Sequence, residues 1–379
     1  MIYLDNAASS FPKPPSVASA MRAAVTQYGG NPGRSGHAIS MRAAEAVYAC
    51  RTDVADLFGA APENVVFTQN ATHALNIALF GCLRPGDHVV MSDLEHNSVL
   101  RPVYRLREQG VRCDVAPVSL YDDDETVDAY RRAIRPETKM LVATAASNLL
   151  GRRLPVRRLG ALAKERGLIF TVDAAQAAGN QPLSLEQDGI DILCAPGHKG
   201  LYGPQGSGVM VLSGRVFPEP LMAGGSGNLS LQEHMPDESP ERYEAGTLNT
   251  PAIAGLHAGI AAVRAAGVQE IAARELALTR YLYQLLAVQP HVELYAGKPD
   301  ERFAGILAFN VKGRHSNEVA DSLDQAGVCV RGGLHCAPLA HKKLGTLERG
   351  AVRVSVGMFN TRRQMEKLAY LIKKIIKLF

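Results

Sequence analysis

The chain has 379 residues, of which 46% are hydrophobic and 21% are charged; this length exceeds the usual size of one core and predicts two domains. A formal net charge of +4 is too small an excess to indicate a nucleic-acid-binding protein. No run of about 18 or more apolar residues predicts a membrane span.

Predicted strands and helices alternate from residue 63 to residue 213, which favours a parallel sheet covered by helices. The strands are continuous apolar runs, as expected when both faces of a sheet are buried. Predicted strands are ENVVFTQ (63–69), DHVVMS (87–92), VRCDVAPV (111–118), KMLVATAA (139–146), LIFTV (168–172), DILCAP (191–196) and GVMVLS (208–213). Predicted helices between them are 71–83, 97–110, 124–135 and 155–167.

The alternation restarts after about residue 255. An alanine-rich helical region (252–288) is followed by short apolar and helical patterns up to a final helix that begins near Thr361. This arrangement predicts a large domain over residues 15–255, and a smaller α/β domain over 256–379 that includes the N-terminal residues 1–14.

Polar side chains follow several predicted strands. Because ligands of open α/β sheets bind at the carboxyl ends of the strands, these side chains are expected to meet in one site. They include one lysine, one carboxylate and a helix start suited to a phosphate group. The residues are Asn70, Thr72, His96, Asn148, Asp173, Gln176, His198 and Lys199.

This set matches the needs of pyridoxal phosphate, which requires a lysine for its Schiff base and a carboxylate beside its ring nitrogen. Lys199 lies in a glycine-rich stretch, GHKGLYGPQG, where the backbone can approach a ring closely. Taken alone, each of these residues also fits an ordinary cap, a turn or a solvated loop. Nearby GPQGSG lacks the spacing and the following helix of a dinucleotide-binding turn.

Cys336 lies in RGGLHCAP (331–338), and three interpretations are open from its local sequence: a packed thiol, a metal ligand or a nucleophile. A metal site is not expected, because no second pair of residues has ligand spacing. Cys50, Cys82, Cys113 and Cys194 are predicted to lie in the core, and Cys329 to pack in a strand.

Ten segments in order resemble the cysteine desulfurase and selenocysteine lyase family, a class V branch of the fold-type I pyridoxal phosphate enzymes. The resemblance runs nearly end to end, and its cysteine loop is similar to that of the SufS-like group. The segments are YLDNAAS (3–9), NPGRSGHAIS (31–40), ATHALN (71–76), EHNSV (95–99), SNLLG (147–151), VDAAQ (172–176), GHKGLYGPQG (197–206), YEAGTLNT (243–250), RGGLHCAP (331–338) and VRVSVGMFNT (352–361).

The resemblance implies an α/β, aspartate-aminotransferase-like fold: a large domain with a mostly parallel sheet, a smaller C-terminal α/β domain, and a homodimer with shared active sites. It implies an enzyme that converts L-cysteine to L-alanine and passes the sulfur, through a persulfide on Cys336, to a sulfur-acceptor protein.

The family motifs also imply a role for each matching residue. Lys199, Cys336 and His96 would be catalytic, with His96 stacked on the cofactor ring. Arg353 would bind the substrate carboxylate, together with Asn148, His37 and Arg34. The cofactor would be held by Asn70, Ala71, Thr72, His96, Asn148, Asp173, Gln176, His198, Lys199 and, from the neighbouring subunit, Thr247.

Two departures from the family pattern bear on the reaction. Pro196 occupies a position where many relatives have a phosphate-binding serine, and Leu334 replaces a frequent second histidine. The alternatives left open are a selenocysteine lyase, a general C–S lyase, a class V aminotransferase and a non-catalytic cofactor-binding protein. The N-terminal MIYLDNAASSFPKPP lacks the regions of a signal peptide, so a cytoplasmic location is expected.

Overall fold

The computed structural model describes residues 1–33 and 35–377. Its strands are β1 (Ile2–Tyr3), β2 (Val65–Thr68), β3 (His88–Ser92), β4 (Arg112–Ala116), β5 (Thr138–Thr144), β6 (Ile169–Asp173), β7 (Ile192–Pro196), β8 (Gly208–Leu212), β9 (Val292–Leu294), β10 (Ile306–Val311), β11 (Val328–Cys329) and β12 (Val352–Ser355). Its helices are α1 (Pro15–Thr26), α2 (Ala38–Phe58), α3 (Ala71–Cys82), α4 (Asn97–Glu108), α5 (Asp123–Ala133), α6 (Val156–Glu165), α7 (Leu185–Asp188), α8 (Thr250–Ala266), α9 (Val268–Ala287), α10 (Ser316–Gln325), α11 (Pro338–Leu344) and α12 (Arg362–Lys377).

The largest sheet within the described residues has seven strands in the order β2-β8-β7-β6-β5-β3-β4. Strands β3 to β7 pair in parallel, whereas β8 is antiparallel to both β2 and β7. Every residue of β2, β7 and β8 is buried, because helices cover both faces of the sheet. The prediction of a mixed α/β fold with a mostly parallel sheet is confirmed.

A second, smaller sheet is antiparallel, with the order β12-β10-β9. It packs on α9, α10 and α12 through one apolar cluster, which also contains Leu4 from the N-terminal segment. Strand β1 pairs with β11, so the first residues of the chain lie against its C-terminal part. The bounds 15–255 and 256–379 with 1–14 stay a prediction.

The helical region predicted over 252–288 is divided into α8 and α9, which are bent by 76° relative to each other. The break lies at Gly267, whose φ of +81° is readily adopted by glycine. Within the described residues, no single helix is long and apolar enough to cross a membrane. Helices α8 and α9 reach that length and apolar character only when they are counted together, across the bend.

Helix caps place several predicted site residues at the edge of the large sheet. Asn70 caps α3 by accepting a hydrogen bond from the His73 N–H at 2.9 Å. His96 caps α4, where its Nδ1 accepts from the Ser98 N–H at 3.0 Å. These residues therefore lie just beyond the strands that precede them, as caps normally do.

Candidate active site

A cavity of about 220 Å³ opens where strands β5, β6 and β7 end. Thr144, Asp173 and Pro196, the last residues of those strands, line it. The cavity brings together most of the predicted site residues: Asn70, Ala71, Thr72, His96, Asn148, Asp173, Gln176, His198, Lys199, Cys336 and Arg353.

Two described residues among those predicted, His37 and Thr247, lie away from this cavity. His37 is exposed and caps α2, where its Nδ1 accepts from the Ser40 N–H at 3.2 Å. Thr247 lines a separate cavity of about 420 Å³ that shares Asn70 with the first. Arg34 lies outside the described residues.

Asp173 and Lys199 are two buried ionisable residues of the cavity. Asp173 is 1% exposed, and its Oδ1 accepts from the Ala175 N–H at 2.9 Å. Burial raises the pKa of Asp173, and the Ala175 bond and the positive Lys199 partly counter it. Burial lowers the pKa of Lys199 to about 8, although Asp173 acts in the opposite direction. The site therefore holds an amine that loses its proton far more easily than an exposed lysine.

The backbone of the Lys199 turn is fixed by the N-terminal segment. The carbonyl of His198 accepts from the Ser10 N–H at 3.0 Å and from Lys13 Nζ at 2.7 Å. The hydroxyls of Ser9 and Ser10 lie 3.3 and 3.2 Å from the same oxygen. Sequence reasoning missed Ser9, Ser10 and Lys13, because no local pattern indicates a contact across nearly 190 positions of the chain.

Ser98 is a further residue that sequence reasoning missed. Its Oγ lies 2.8 Å from His96 Nδ1 and 3.4 Å from Asp173 Oδ2, so it lies between the two. Burial lowers the pKa of His96 to about 4, and the positive Lys199 and Arg353 add to this effect. Since Nδ1 accepts from the Ser98 N–H, the neutral ring has its proton on Nε2.

Arg353 is 1% exposed on β12 and is held by two partners. Its guanidinium donates to Asp5 Oδ1 at 2.7 Å and to the Asn148 carbonyl at 2.9 Å. Asn148 in turn donates from Nδ2 to the His335 carbonyl at 2.6 Å. Asn148 therefore connects the arginine strand to the loop that contains Cys336.

Cys336 is the one exposed cysteine among the six. Cys50 and Cys194 are fully buried, while Cys82, Cys113 and Cys329 are partly buried. Burial raises the pKa of Cys82 and of Cys113 to about 12, so neither is suited to act as a thiolate. Of the three interpretations of Cys336, the packed thiol is inconsistent with its exposure.

The start of α3 lines the cavity and has backbone N–H groups that make no hydrogen bond within the helix. The first N–H groups of a helix have no partner inside the helix, and at this end they belong to Ala71 and Thr72. A Cβ on Gly208 would lie 2.7 Å from Asn70 Cα, so only glycine lets β8 approach this turn so closely. Pro196 also lines the cavity, and its side chain has no donor.

Comparison with known proteins decides the family. The model of the aminotransferase class-V family matches residues 2–368. The chain belongs to this family. It is 36% identical to a probable cysteine desulfurase of Methanothermobacter thermautotrophicus, over 99% of this chain and 94% of that protein.

Two proteins named cysteine desulfurase are also similar to this chain over its whole length. A cysteine desulfurase of Yersinia pestis is 33% identical, with 100% of this chain and 94% of that protein covered. The apo structure of a cysteine desulfurase from Thermococcus onnurineus superposes with a TM-score of 0.94 at 33% identity, covering 100% of this chain and 95% of that one. The predicted cysteine desulfurase family and type of fold are thereby confirmed.

Proposed function

We propose that this class-V protein is a pyridoxal-phosphate-dependent cysteine desulfurase. It would convert L-cysteine to L-alanine, with Cys336 accepting the sulfur as a persulfide. The substrate's carbon–sulfur bond breaks, a sulfur–sulfur bond forms to Cys336, and a proton replaces the sulfur on carbon. The single observation that carries the proposal is that the exposed Cys336 lines the same cavity as Lys199, Asp173 and Arg353.

The residues present fit pyridoxal phosphate. Polar atoms that are buried without a partner among the described residues line this cavity, namely Asn148 Oδ1, His198 Nδ1, His335 Nδ1 and Arg353 Nε. Lys199 would bind the aldehyde carbon of the cofactor covalently, Asp173 would contact its ring nitrogen, and His96 would stack on one face of its ring. The phosphate would bind at the start of α3, where backbone donors of Ala71 and Thr72 replace the serine missing at Pro196. Gln176 and His198 complete the surroundings of the ring.

The bound cofactor supplies an electron sink that makes the Cα proton of an amino acid acidic. Arg353 would bind and orient the substrate carboxylate, since a guanidinium matches that group with two hydrogen bonds. Lys199, with a pKa lowered to about 8, would move the Cα proton near neutral pH. His96 has its proton on Nε2 and a pKa near 4, so it would remain neutral beside the ring.

A homodimer completes the proposal. Several large apolar side chains between residues 217 and 231 are exposed in the single chain, and Leu231 is fully exposed. Such surfaces are usually covered by a partner. In the dimer, Thr247 would serve the neighbouring subunit's site, while His37 and Arg34 keep their predicted role in binding the substrate. The exposed residues of this region are Phe217, Leu221, Met222, Leu229 and Leu231.

The physiological partners would be L-cysteine and a sulfur-acceptor protein that collects the persulfide sulfur from the exposed Cys336. A cytoplasmic location is part of the same proposal, because all six cysteines are free, as is usual for proteins of a reducing compartment.

The test measures the products of the purified holoenzyme with L-cysteine and a reductant. Alanine and sulfide are expected in equal amounts, and Cys336→Ala should abolish both. The matched control is Cys329→Ala, a partly buried cysteine at the end of β11, which should leave both products unchanged. Pyruvate with sulfide, insensitive to Cys336→Ala, would instead identify an eliminating C–S lyase. A keto acid without sulfide would identify an aminotransferase, and turnover of L-selenocysteine alone would identify a selenocysteine lyase.

A further inference from the structure

The turn that contains Cys336 has an unusual backbone. His335 and Cys336 have φ values of +50° and +55°, in the left-handed region that residues with a Cβ rarely adopt. Two consecutive residues in this region cost free energy, so the surrounding structure must hold them there. The position of the Cys336 thiol therefore depends on the contacts of this turn.

Three hydrogen bonds join His335 and Cys336 to other segments of the described chain. The ring of His335 is 4% exposed, and its Nε2 lies 2.9 Å from the Ala351 carbonyl, next to the arginine strand β12. The His335 carbonyl accepts from Asn148 Nδ2, and the Cys336 carbonyl accepts from the Asn97 N–H at 2.8 Å. In the first of these three bonds, the donor is the His335 side chain, which belongs to the turn itself. In the other two, a backbone carbonyl of the turn accepts the bond.

A second histidine packs against this ring. His341 on α11 is fully buried, and its ring is stacked on His335 with centroids 5.8 Å apart and planes inclined by 22°. Its Nδ1 lies 2.7 Å from the hydroxyl of Thr346, which is also fully buried. His341 Nε2 and His335 Nδ1 have no partner among the described residues, which is costly for buried polar atoms. An apolar side chain would avoid that cost, so packing alone does not account for a histidine at this position.

Burial keeps the stacked rings neutral. It lowers the pKa of His335 to about 3, assisted by the positive Arg353. It also lowers the pKa of His341. Two neutral rings can stack without repulsion, and a flat, oriented ring restricts rotation of its neighbour more than a flexible aliphatic chain does.

We propose that His341 is a positioning residue for the sulfur-accepting thiol. Its ring, oriented by Thr346, backs the ring of His335, and His335 fixes the left-handed turn that holds Cys336 at the cavity. The inference rests on the proposed role of Cys336 in the reaction.

The experiment compares two apolar substitutions that differ in the ring, His341→Phe and His341→Leu, in the holoenzyme. A nitroxide label is attached to Cys336 in a Cys329→Ser background, and its electron paramagnetic resonance spectrum reports motion of the turn without any turnover. The unlabelled variants are assayed for kcat and KM with L-cysteine, and their melting temperatures are recorded. His291→Leu, an exposed histidine before β9, is the control.

The expected result separates the two variants. His341→Phe keeps the restricted spectrum and a kcat within about threefold of the parent, whereas His341→Leu adds a mobile component and lowers kcat about 10- to 100-fold with KM little changed. Thr346→Val, which keeps the ring but removes the hydroxyl that orients it, moves the spectrum in the same direction as His341→Leu. It decides the question if His341→Leu does not fold.

Two results would overturn the inference. One is identical spectra and kcat for His341→Leu, His341→Phe and His291→Leu. The other is a loss of kcat in His341→Leu that comes with a parallel loss of cofactor absorbance and melting temperature, since that pattern marks a purely structural role. If the spectra change as expected but Cys336→Ala still forms alanine and sulfide, the proposed function has failed while the positioning of the turn stands.

Discussion

Arg353 lies 2.7 Å from the carboxylate of Asp5, so the residue proposed to bind the substrate carboxylate already has an anionic partner. The pair joins β12 to the first segment of the chain, 348 positions apart. The second bond of Arg353, to the Asn148 carbonyl, fixes the plane of the guanidinium, while Nε has no partner among the described atoms. The guanidinium is therefore oriented before any substrate arrives.

Replacing this arginine by lysine should weaken substrate binding. Arg353→Lys keeps the charge, but one ammonium group cannot bond to Asp5, to Asn148 and to a substrate carboxylate in a fixed plane. We expect KM for L-cysteine to rise about 10- to 100-fold, which corresponds to one lost charge-assisted contact. Steady-state alanine formation measures this change. Arg349→Lys, a partly exposed neighbour paired with Glu293, is the control, and an unchanged KM in Arg353→Lys would contradict the assignment.

The hydroxyl of Ser98 should contribute to cofactor affinity. It lies between His96 and Asp173, the two groups proposed to contact the ring, and its hydrogen bond opposes part of the pKa rise that burial imposes on Asp173. Ser98→Ala removes one buried hydrogen bond, so the dissociation constant for pyridoxal phosphate should increase about 3- to 10-fold. Absorbance titration of the apoprotein measures it, with Ser322→Ala, a partly exposed serine of α10, as control. Equal affinities for Ser98→Ala and the parent would mean that Ser98 acts only as part of the helix cap.

The parts of this site that sequence patterns predict are those set by local rules. Asn70, Asp173 and Lys199 follow apolar strands, and strand ends of a parallel sheet meet at one edge, so their convergence follows from the alternation itself. The capping role of His96 follows from the helix pattern that begins at Asn97.

The parts that sequence patterns do not predict depend on contacts between distant segments. Asp5 with Arg353 and Lys13 with His198 are such contacts, and neither has a signal in periodicity or turn composition. The contacts of His341 with His335 and Thr346 are close in sequence, but they lack such a signal too. The fully buried His341 resembles an ordinary polar residue of a short helix when only its neighbours in LAHKKLGT are considered. The separation of α8 from α9 was also not predicted, because a single glycine inside an apolar helical pattern is often tolerated.

Glu275 should make stability depend on pH. It is 2% exposed on α9, where its carboxylate accepts from Asn180 Nδ2 at 3.1 Å, and burial raises its pKa from 4.5 to about 8. Between these two pH values the folded protein binds more protons than the unfolded chain, so the free energy of unfolding falls as pH rises from about 4.5 to about 8.

Glu275→Gln removes that pH dependence and keeps a hydrogen-bonding oxygen for Asn180. The variant should match the parent near the lower end of this window and exceed its stability above the upper end, by up to about 5 kcal/mol. Thermal melts across the window measure the difference. Glu270→Gln, at an exposed carboxylate on the same helix, is the matched control, and a constant offset for Glu275→Gln would show that its carboxyl does not titrate on unfolding.

Gly160 should be intolerant of alanine even though it lies inside a helix. In an exposed helix interior, alanine is about 1 kcal/mol more favourable than glycine. A Cβ at position 160 of α6 would, however, lie 1.9 Å from the Asp188 carbonyl oxygen, which belongs to the end of α7. Because that oxygen is part of the backbone, the clash can be relieved only by moving α6 away from α7.

The steric cost should exceed the helix-propensity gain. Overpacking of this kind costs about 1–3 kcal/mol, and the loss of the close α6–α7 contact adds to it. Gly160→Ala is therefore expected to lower the free energy of unfolding by about 1–3 kcal/mol, as measured by urea denaturation of the holoenzyme. Gly224→Ala, whose added Cβ would meet its nearest neighbour at an ordinary 3.6 Å, should unfold like the parent. A Gly160→Ala protein as stable as the parent would mean that α7 shifts freely, and that the packing of these two helices does not constrain β6, a strand that α6 contacts.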